Sequence, residues 1–261
     1  MTQPLLQSAL NTLRLLELFN GPVQEMGLTD ISRALGVGKS TAHRLLATLE
    51  AQGFIEQRPG NGRYRLGLKI VHLAAHKLAT INIIEECHPF LEALSAATGE
   101  SSHLSFYMTG EITFVDKVFG SNRAVMSSMI GYRLAAYASA AGKMFLAHLP
   151  PEGLEDFFKR GRLSQLTPHT ITSRVRLLEE LARIRAMGYS EDQQESEEGL
   201  VCFGAPVWNR SGRMAAAMSV SGQASRMNAR KDELIVEIQA AADQASRQCG
   251  WLPGLESAKI A

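Results

Sequence analysis

Leu6, Leu10, Leu13 and Leu16 recur at helical spacing near the start of the chain, and Gly21-Pro22 predicts the end of that helix. A short helix is expected over residues 29–35 with Thr29 as its N-cap, then a turn at Gly36-Val37-Gly38, then a second helix over 39–52 closed by Gly53. In this second helix Ala42, Leu45, Leu46 and Leu49 fall on one stripe. Two strand-like runs, 54–57 and 63–66, flank Arg58-Pro59-Gly60-Asn61-Gly62 and predict a β-hairpin. A further helix is predicted over Leu68–Ala79.

Beyond that point the pattern mixes both periods. Helices are expected at 83–97, ending at Gly99, at 139–148, and at 173–187. In the last of these Val175, Leu178, Leu181 and Ala182 share one face and Gly188 closes the helix. Strands are expected at 102–107 and 112–118 around Thr109-Gly110, near 125–129, and at 201–207 and 214–221 around Asn209-Arg210-Ser211-Gly212. A closing helix carries Leu234, Ile238, Ala241 and Ala245. Interspersed strands and helices with antiparallel hairpins predict an α+β fold.

Charge adds a location to this pattern. The chain of 261 residues has a net charge of only +1, yet residues 31–69 carry seven basic side chains against Glu50 and Glu56. On the helix from Lys39, Ser40 and Arg44 lie opposite the apolar stripe, with Thr41 and His43 on its flanks. One face can pack while the other enters a major groove, where Arg holds guanine bidentately and hydroxyls meet base edges or phosphate. The hairpin that follows brings Arg58, Arg63 and Arg65 together, a wing suited to phosphate. Helix, turn, helix and basic hairpin in that order predict a winged helix-turn-helix that binds double-stranded DNA.

Cys87, Cys202 and Cys249 are scattered and odd in number, which argues against a disulfide framework or a structural zinc site. No run is long and apolar enough for a membrane helix, and no secretory signal is evident, so a cytoplasmic protein without membrane contact is expected. No metal, cofactor or catalytic residue is expected.

The stretches Gly27-Leu28-Thr29-Asp30-Ile31-Ser32-Arg33-Ala34-Leu35-Gly36, Lys39-Ser40-Thr41-Ala42-His43-Arg44-Leu45-Leu46-Ala47-Thr48-Leu49 and Gly62-Arg63-Tyr64-Arg65-Leu66-Gly67 resemble the N-terminal domain of IclR-type regulators. Ala138-Ser139-Ala140-Ala141-Gly142-Lys143, Ile184-Arg185-Ala186-Met187-Gly188-Tyr189, Gly199-Leu200-Val201-Cys202, Ala205-Pro206-Val207 and Ser219-Val220-Ser221-Gly222 extend the resemblance to about residues 4–250. It implies a winged helix-turn-helix domain at 1–67, a linker helix at 68–80, a GAF-like α/β effector domain at 81–252 and a tail at 253–261. It also implies a homo-oligomer, dimer or tetramer, whose operator affinity is controlled by a small-molecule effector. The effector pocket it implies is lined by Ala140, Ala141, Asp192, Leu200, Cys202, Ser219 and Ser221. Ser219 and Ser221, at i and i+2 on a strand, point the same way, and two hydroxyls beside a helix N-terminus suit a small carboxylate or phenol-like ligand without a buried Lys or Arg. The family often has Pro and His at the positions of Ala135 and Tyr137, and Arg at that of Val201. Tyr137 therefore suggests an aromatic-lined pocket.

Without the resemblance, other readings stand beside this one. Alternating serines on a strand most often line a solvated face, Cys202 in an apolar run reads as a small core residue, and Glu191, Asp192, Glu195, Glu197 and Glu198 read as a solvated loop. A metal-dependent sensor would use Asp192 and Cys202 with a histidine, and an enzyme would need a histidine within reach of a Cys202 nucleophile.

Overall fold

The computed structural model describes residues 5–19, 25–79, 82–122 and 129–252. The strand expected near 125–129 lies, but for its last residue, outside these, as do Gly21-Pro22 and the tail. The chain forms two compact units that divide between Asn82 and Ile83.

The first unit contains α1 (Gln7–Glu17), α2 (Leu28–Leu35), α3 (Lys39–Ala51), the two-stranded antiparallel hairpin β1 (Ile55–Gln57) and β2 (Tyr64–Leu66), and α4 (Leu68–Ala79). Its core is Leu15, Phe19, Ile31, Ala42, Leu46, Leu49, Ile55 and Tyr64. Two expectations need correction. Thr29 does not cap α2. Gly27 is the N-cap residue, and its carbonyl accepts from the amide of Ile31 at 3.1 Å, so the helix starts one residue earlier. The expected α1 stripe is also not the buried face: Leu15 is buried, while Leu6 and Leu13 are 76% and 60% exposed. Gly36 ends α2 at φ 66°, a left-handed conformation that glycine adopts without steric cost. Gly67 lies directly against the carbonyl of Gly53, where a Cβ has no room, and its amide donates to Phe54 O at 2.8 Å.

The second unit runs α5 (Asn82–Thr98), β3 (Ser101–Met108), β4 (Glu111–Val118), β5 (Arg133–Ala135), a single 3-10 turn (Ala136–Ala138), α6 (Ala140–His148), α7 (Pro151–Arg160), α8 (Arg174–Met187), β6 (Ser190–Gln193), β7 (Leu200–Trp208), β8 (Met214–Gln223), α9 (Ala224–Ala229) and α10 (Lys231–Gln248). Six strands form one antiparallel sheet in the order β5-β4-β3-β8-β7-β6. Alternation along the strands divides its residues between two faces. Leu104, Val201, Phe203, Val207, Met218 and Val220 pack with Leu91 and Leu94 of α5 and Leu234 and Ile238 of α10. The opposite face meets α6, which is buried from Ala140 to Ala147. The face of α8 differs from expectation: Leu177, Leu181 and Ile184 are buried and Val175 is exposed. Among the described residues no helix is long and apolar enough to cross a membrane.

Gly142 sets how closely α6 approaches the rest of the unit. A Cβ there would fall on the Cα and carbonyl oxygen of Ala136. Gly142→Ala is therefore expected to destabilise the protein by ~1–3 kcal/mol, as overpacking does. Gly161→Ala, with nothing within 4 Å of an added Cβ, should change stability by less than ~0.5 kcal/mol. Urea unfolding of the two variants checks the contrast, and equal midpoints would contradict it.

Candidate functional site

The first candidate surface is the outer face of α3. Ala42, Leu46 and Leu49 are buried and Leu45 is half-buried, while Lys39, Ser40, Thr41, His43 and Arg44 are all exposed. The sequence-level division of this helix into a packing face and a polar face is the one the structure forms. The hairpin presents its three arginines less freely than the sequence suggests. Arg58 Nε lies 3.0 Å from a Glu25 carboxylate oxygen, and Arg65 Nε lies 2.5 Å from that of Glu56. Arg63 donates to the backbone carbonyl of Glu25 at 2.9 Å.

The second candidate site is a partly open pocket with a cavity volume of about 60 Å³ between the sheet and the start of α6. All seven residues expected in a pocket line it: Ala140, Ala141, Asp192, Leu200, Cys202, Ser219 and Ser221. Strand register explains how they meet. Asp192 on β6 pairs with Cys202 on β7, Cys202 with Ser221 on β8, and Ser221 with Ser101 on β3. One step along, Gly204, Ser219 and His103 form a parallel row. Ser219 and Ser221 are thus buried, at 4% and 2% exposure, which corrects the solvated-face reading. At the α6 N-terminus the Ser139 hydroxyl accepts from Gly142 N at 3.2 Å. The amides of Ala140 and Ala141 precede the first intrahelical bond, from Lys143 N to Ser139 O.

The acidic segment is a solvated loop only at Glu197 and Glu198, which are exposed. Glu191, Asp192 and Glu195 are all buried. Glu191 accepts from Lys231, and Glu195 pairs with Lys143, itself only 1% exposed. A buried lysine is therefore present beside the pocket, contrary to expectation, with its charge held by Glu195. Asp192 accepts from the amides of Glu195 at 2.6 Å and Ser196 at 3.3 Å and from the Ser196 hydroxyl at 2.5 Å. Burial outweighs these bonds and pushes its carboxyl up to about 6. His103 is held neutral, down to about 3, chiefly by burial. Burial, and then the neighbouring Asp192, push the Cys202 thiol up, the direction opposite to an activated nucleophile. His103 sits two strands from Cys202, about 10 Å by strand spacing, and is aligned with Gly204 rather than with it. Among the described residues no cluster of three or more His, Cys, Asp or Glu could hold a metal ion.

Several lining residues escaped the sequence reading: His103, Ile112, Phe114, Tyr132, Leu134, Ser139, Ser196 and Glu197. Tyr137, expected to contribute an aromatic wall, lies outside this cavity and donates to Ser164 O at 2.9 Å. Val201 points into the opposite core. The aromatic side of the pocket comes instead from Phe114 and Tyr132, with the His103 ring 4.7 Å from that of Phe114. A register shift between Leu104 and Ser105 creates it: Lys117 faces His103, but Phe114 then faces Ser105.

The comparisons with known proteins agree with this architecture. The family model described as "IclR helix-turn-helix domain" matches residues 8–59, and that described as "Bacterial transcriptional regulator IclR C-terminal" matches residues 75–247. The HTH-type transcriptional regulator XynR of Escherichia coli is 38% identical over 225 residues, covering 86% of this chain and 89% of that protein. The crystal structure of the Thermotoga maritima IclR is 29% identical, covers 94% of this chain and 99% of its own, and has a TM-score of 0.72. An IclR homologue from Microbacterium hydrocarbonoxydans, crystallised in complex with 4-hydroxybenzoate, shares the fold at a TM-score of 0.81 and 23% identity, covering 94% of this chain and 99% of its own. With both of its units matched by the family, this chain belongs to the IclR family of bacterial transcriptional regulators, DNA-binding proteins of the helix-turn-helix type.

Proposed function

We propose that Lys39, Ser40, Thr41, His43 and Arg44 of α3 read operator DNA, that Arg58, Arg63 and Arg65 contact phosphate, and that a small carboxylate in the α6 cavity changes operator affinity. The observation that carries the second half is the convergence of buried hydroxyls, a helix N-terminus and an apolar wall on one pocket. The amides of Ala140 and Ala141 suit a carboxylate, the Ser219 hydroxyl and that of Ser221, which donates to Ser101 O at 3.5 Å and must turn from it, can reach a ligand, and Ile112, Phe114 and Leu134 suit a carbon skeleton or ring. The acceptors Asp192 and Glu197 favour a ligand that also carries hydroxyl groups. The hydroxybenzoate bound to the Microbacterium hydrocarbonoxydans protein supports this class of ligand. We place the protein in the cytoplasm, where operator DNA lies.

A homo-oligomer completes the reading. One winged helix covers little DNA, and specific affinity comes from paired half-sites. The exposed Leu6 just before α1, Leu13 of α1, and Leu68 and Val71 of α4 offer apolar surface for a second copy.

For DNA, Arg44→Ala should cost ~1–3 kcal/mol on the operator and relax specificity at one position, whereas Arg63→Ala should weaken all sequences alike and flatten the salt dependence by about one unit of slope. Selection of binding sites from a random library checks both, and an Arg44→Ala protein with parental affinity and sequence preference would contradict the assignment.

For the pocket, small carboxylates and hydroxybenzoates are screened by thermal shift against the parent, Ser221→Ala and Ala141→Trp. Ser221→Ala should lose ~0.5–1.5 kcal/mol of binding and Ala141→Trp nearly all of it. Parental shifts in both variants would place the ligand elsewhere.

The carboxyl of Asp192 adds a pH dependence. It is raised to about 6, so it is charged at pH 8 and protonated at pH 5, and only the charged form repels an anionic ligand. Affinity for a carboxylate should therefore rise as pH falls through about 6, and Asp192→Asn should lose this trend. Calorimetric titration at several pH values measures it, and a pH-independent affinity in the parent would count against the proposed pose.

A further inference from the structure

The hairpin carries three arginines within eight positions, and their electrostatics are set by two glutamates. Glu25 touches the hairpin at three points: its carboxylate meets Arg58 Nε at 3.0 Å and accepts from Asn61 Nδ2 at 3.2 Å, and its backbone carbonyl accepts from Arg63 at 2.9 Å. Glu56, on β1, meets Arg65 across the ladder on β2, its register partner. The hairpin with Glu25 and Glu56 thus carries one net positive charge where its arginines alone would carry three. The contrast with α3 is direct. Among the described residues no acidic side chain pairs with Lys39 or Arg44, and both are exposed. The helix that reads bases keeps its charge, while the element suited only to phosphate has most of its charge offset.

We infer that Glu25 and Glu56 tune the strength and salt dependence of DNA binding: by engaging Arg58 and Arg65 they lower the sequence-independent phosphate attraction of the wing. The physical basis is general. Phosphate contacts release counterions whatever the sequence, so each additional free arginine raises non-specific and specific affinity together and leaves base reading a smaller share of the total. Glu25 also holds the tip from both sides through Arg58 and Arg63, which keeps the restrained arginines in place. The inference rests on the hairpin acting as a DNA-contacting wing, the reading proposed above.

The test uses the full chain and a short duplex of random sequence, with fluorescence anisotropy at several salt concentrations. Glu25→Gln keeps a partner for Asn61 but removes the charge, and Glu56→Gln independently releases Arg65. Each variant should bind the random duplex roughly tenfold more tightly at about 0.1 M salt, with a slope steeper by about 0.9 for every wing engaged. Adding Arg58→Ala to Glu25→Gln should cancel the gain. Parental affinity and slope in both glutamine variants, or weaker binding, overturns the inference. Arg63→Ala separates that result from failure of the wing itself. If Arg63→Ala flattens the slope while the glutamine variants behave as the parent, the wing stands and the restraint does not. If Arg63→Ala also leaves the slope unchanged, the wing reading fails and the inference falls with it.

Discussion

The second unit depends on burying a polar row on one face of its sheet. Asp192, Cys202, Ser221 and Ser101 lie across four neighbouring strands, with Gly204, Ser219 and His103 beside them. Polar groups removed from water cost free energy unless they are hydrogen-bonded, so this face cannot simply close like an apolar core. Part of the cost is met locally, by the Asp192 bonds to Glu195 and Ser196 and by the Ser190 hydroxyl, which donates to Ala140 O at 2.7 Å. The rest of the face lines a cavity. Gly142 and Gly204 let α6 come close enough to roof that cavity, since a side chain at either would meet Ala136 or Ser190. The position of the pocket, the orientation of a helix N-terminus toward it and the raised carboxyl of Asp192 all follow from this arrangement.

In the first unit the organising constraint is simpler. A helix with one buried stripe has an opposite face that must be polar, and on α3 that face carries hydroxyls, His43 and Arg44. Packing of Ala42, Leu46 and Leu49 against Leu15, Ile31 and Ile55 fixes the rotation of the helix about its axis. Rotation, in turn, decides which residues can reach into a groove. The hairpin is braced against the strand-like segment at Met26, whose amide and carbonyl exchange bonds with Tyr64.

How much of this was legible in the sequence depended on whether local pattern or distant partners decided the outcome. The faces of α3 follow from periodicity alone, and the hairpin from its turn residues, so both were readable. The segment Ser190–Gln193 was not. Its charges read as solvated, and it becomes a buried strand because Lys231 and Arg183 supply Glu191 with countercharges from other elements. The offset of the wing arginines was hidden for the same reason, since Glu25 is far from Arg58 in sequence. The seven pocket residues implied by the family resemblance do share one cavity, but its aromatic wall was assigned to Tyr137 rather than Phe114 and Tyr132. A bulge in the β3–β4 pair changes which residues face α6, and strict alternation cannot foresee it.

The account joins a DNA-reading surface in one unit to a ligand pocket in the other. It is tested most directly by titrating the best-binding carboxylate into a complex of the full chain with its operator, followed by anisotropy of labelled DNA. A ligand that binds the two functional states unequally must shift operator affinity. The account predicts a saturable change in DNA affinity for the parent and none for Ala141→Trp, which should still bind operator normally. An operator complex indifferent to every ligand that stabilises the free protein, or an equal response in Ala141→Trp, would contradict it.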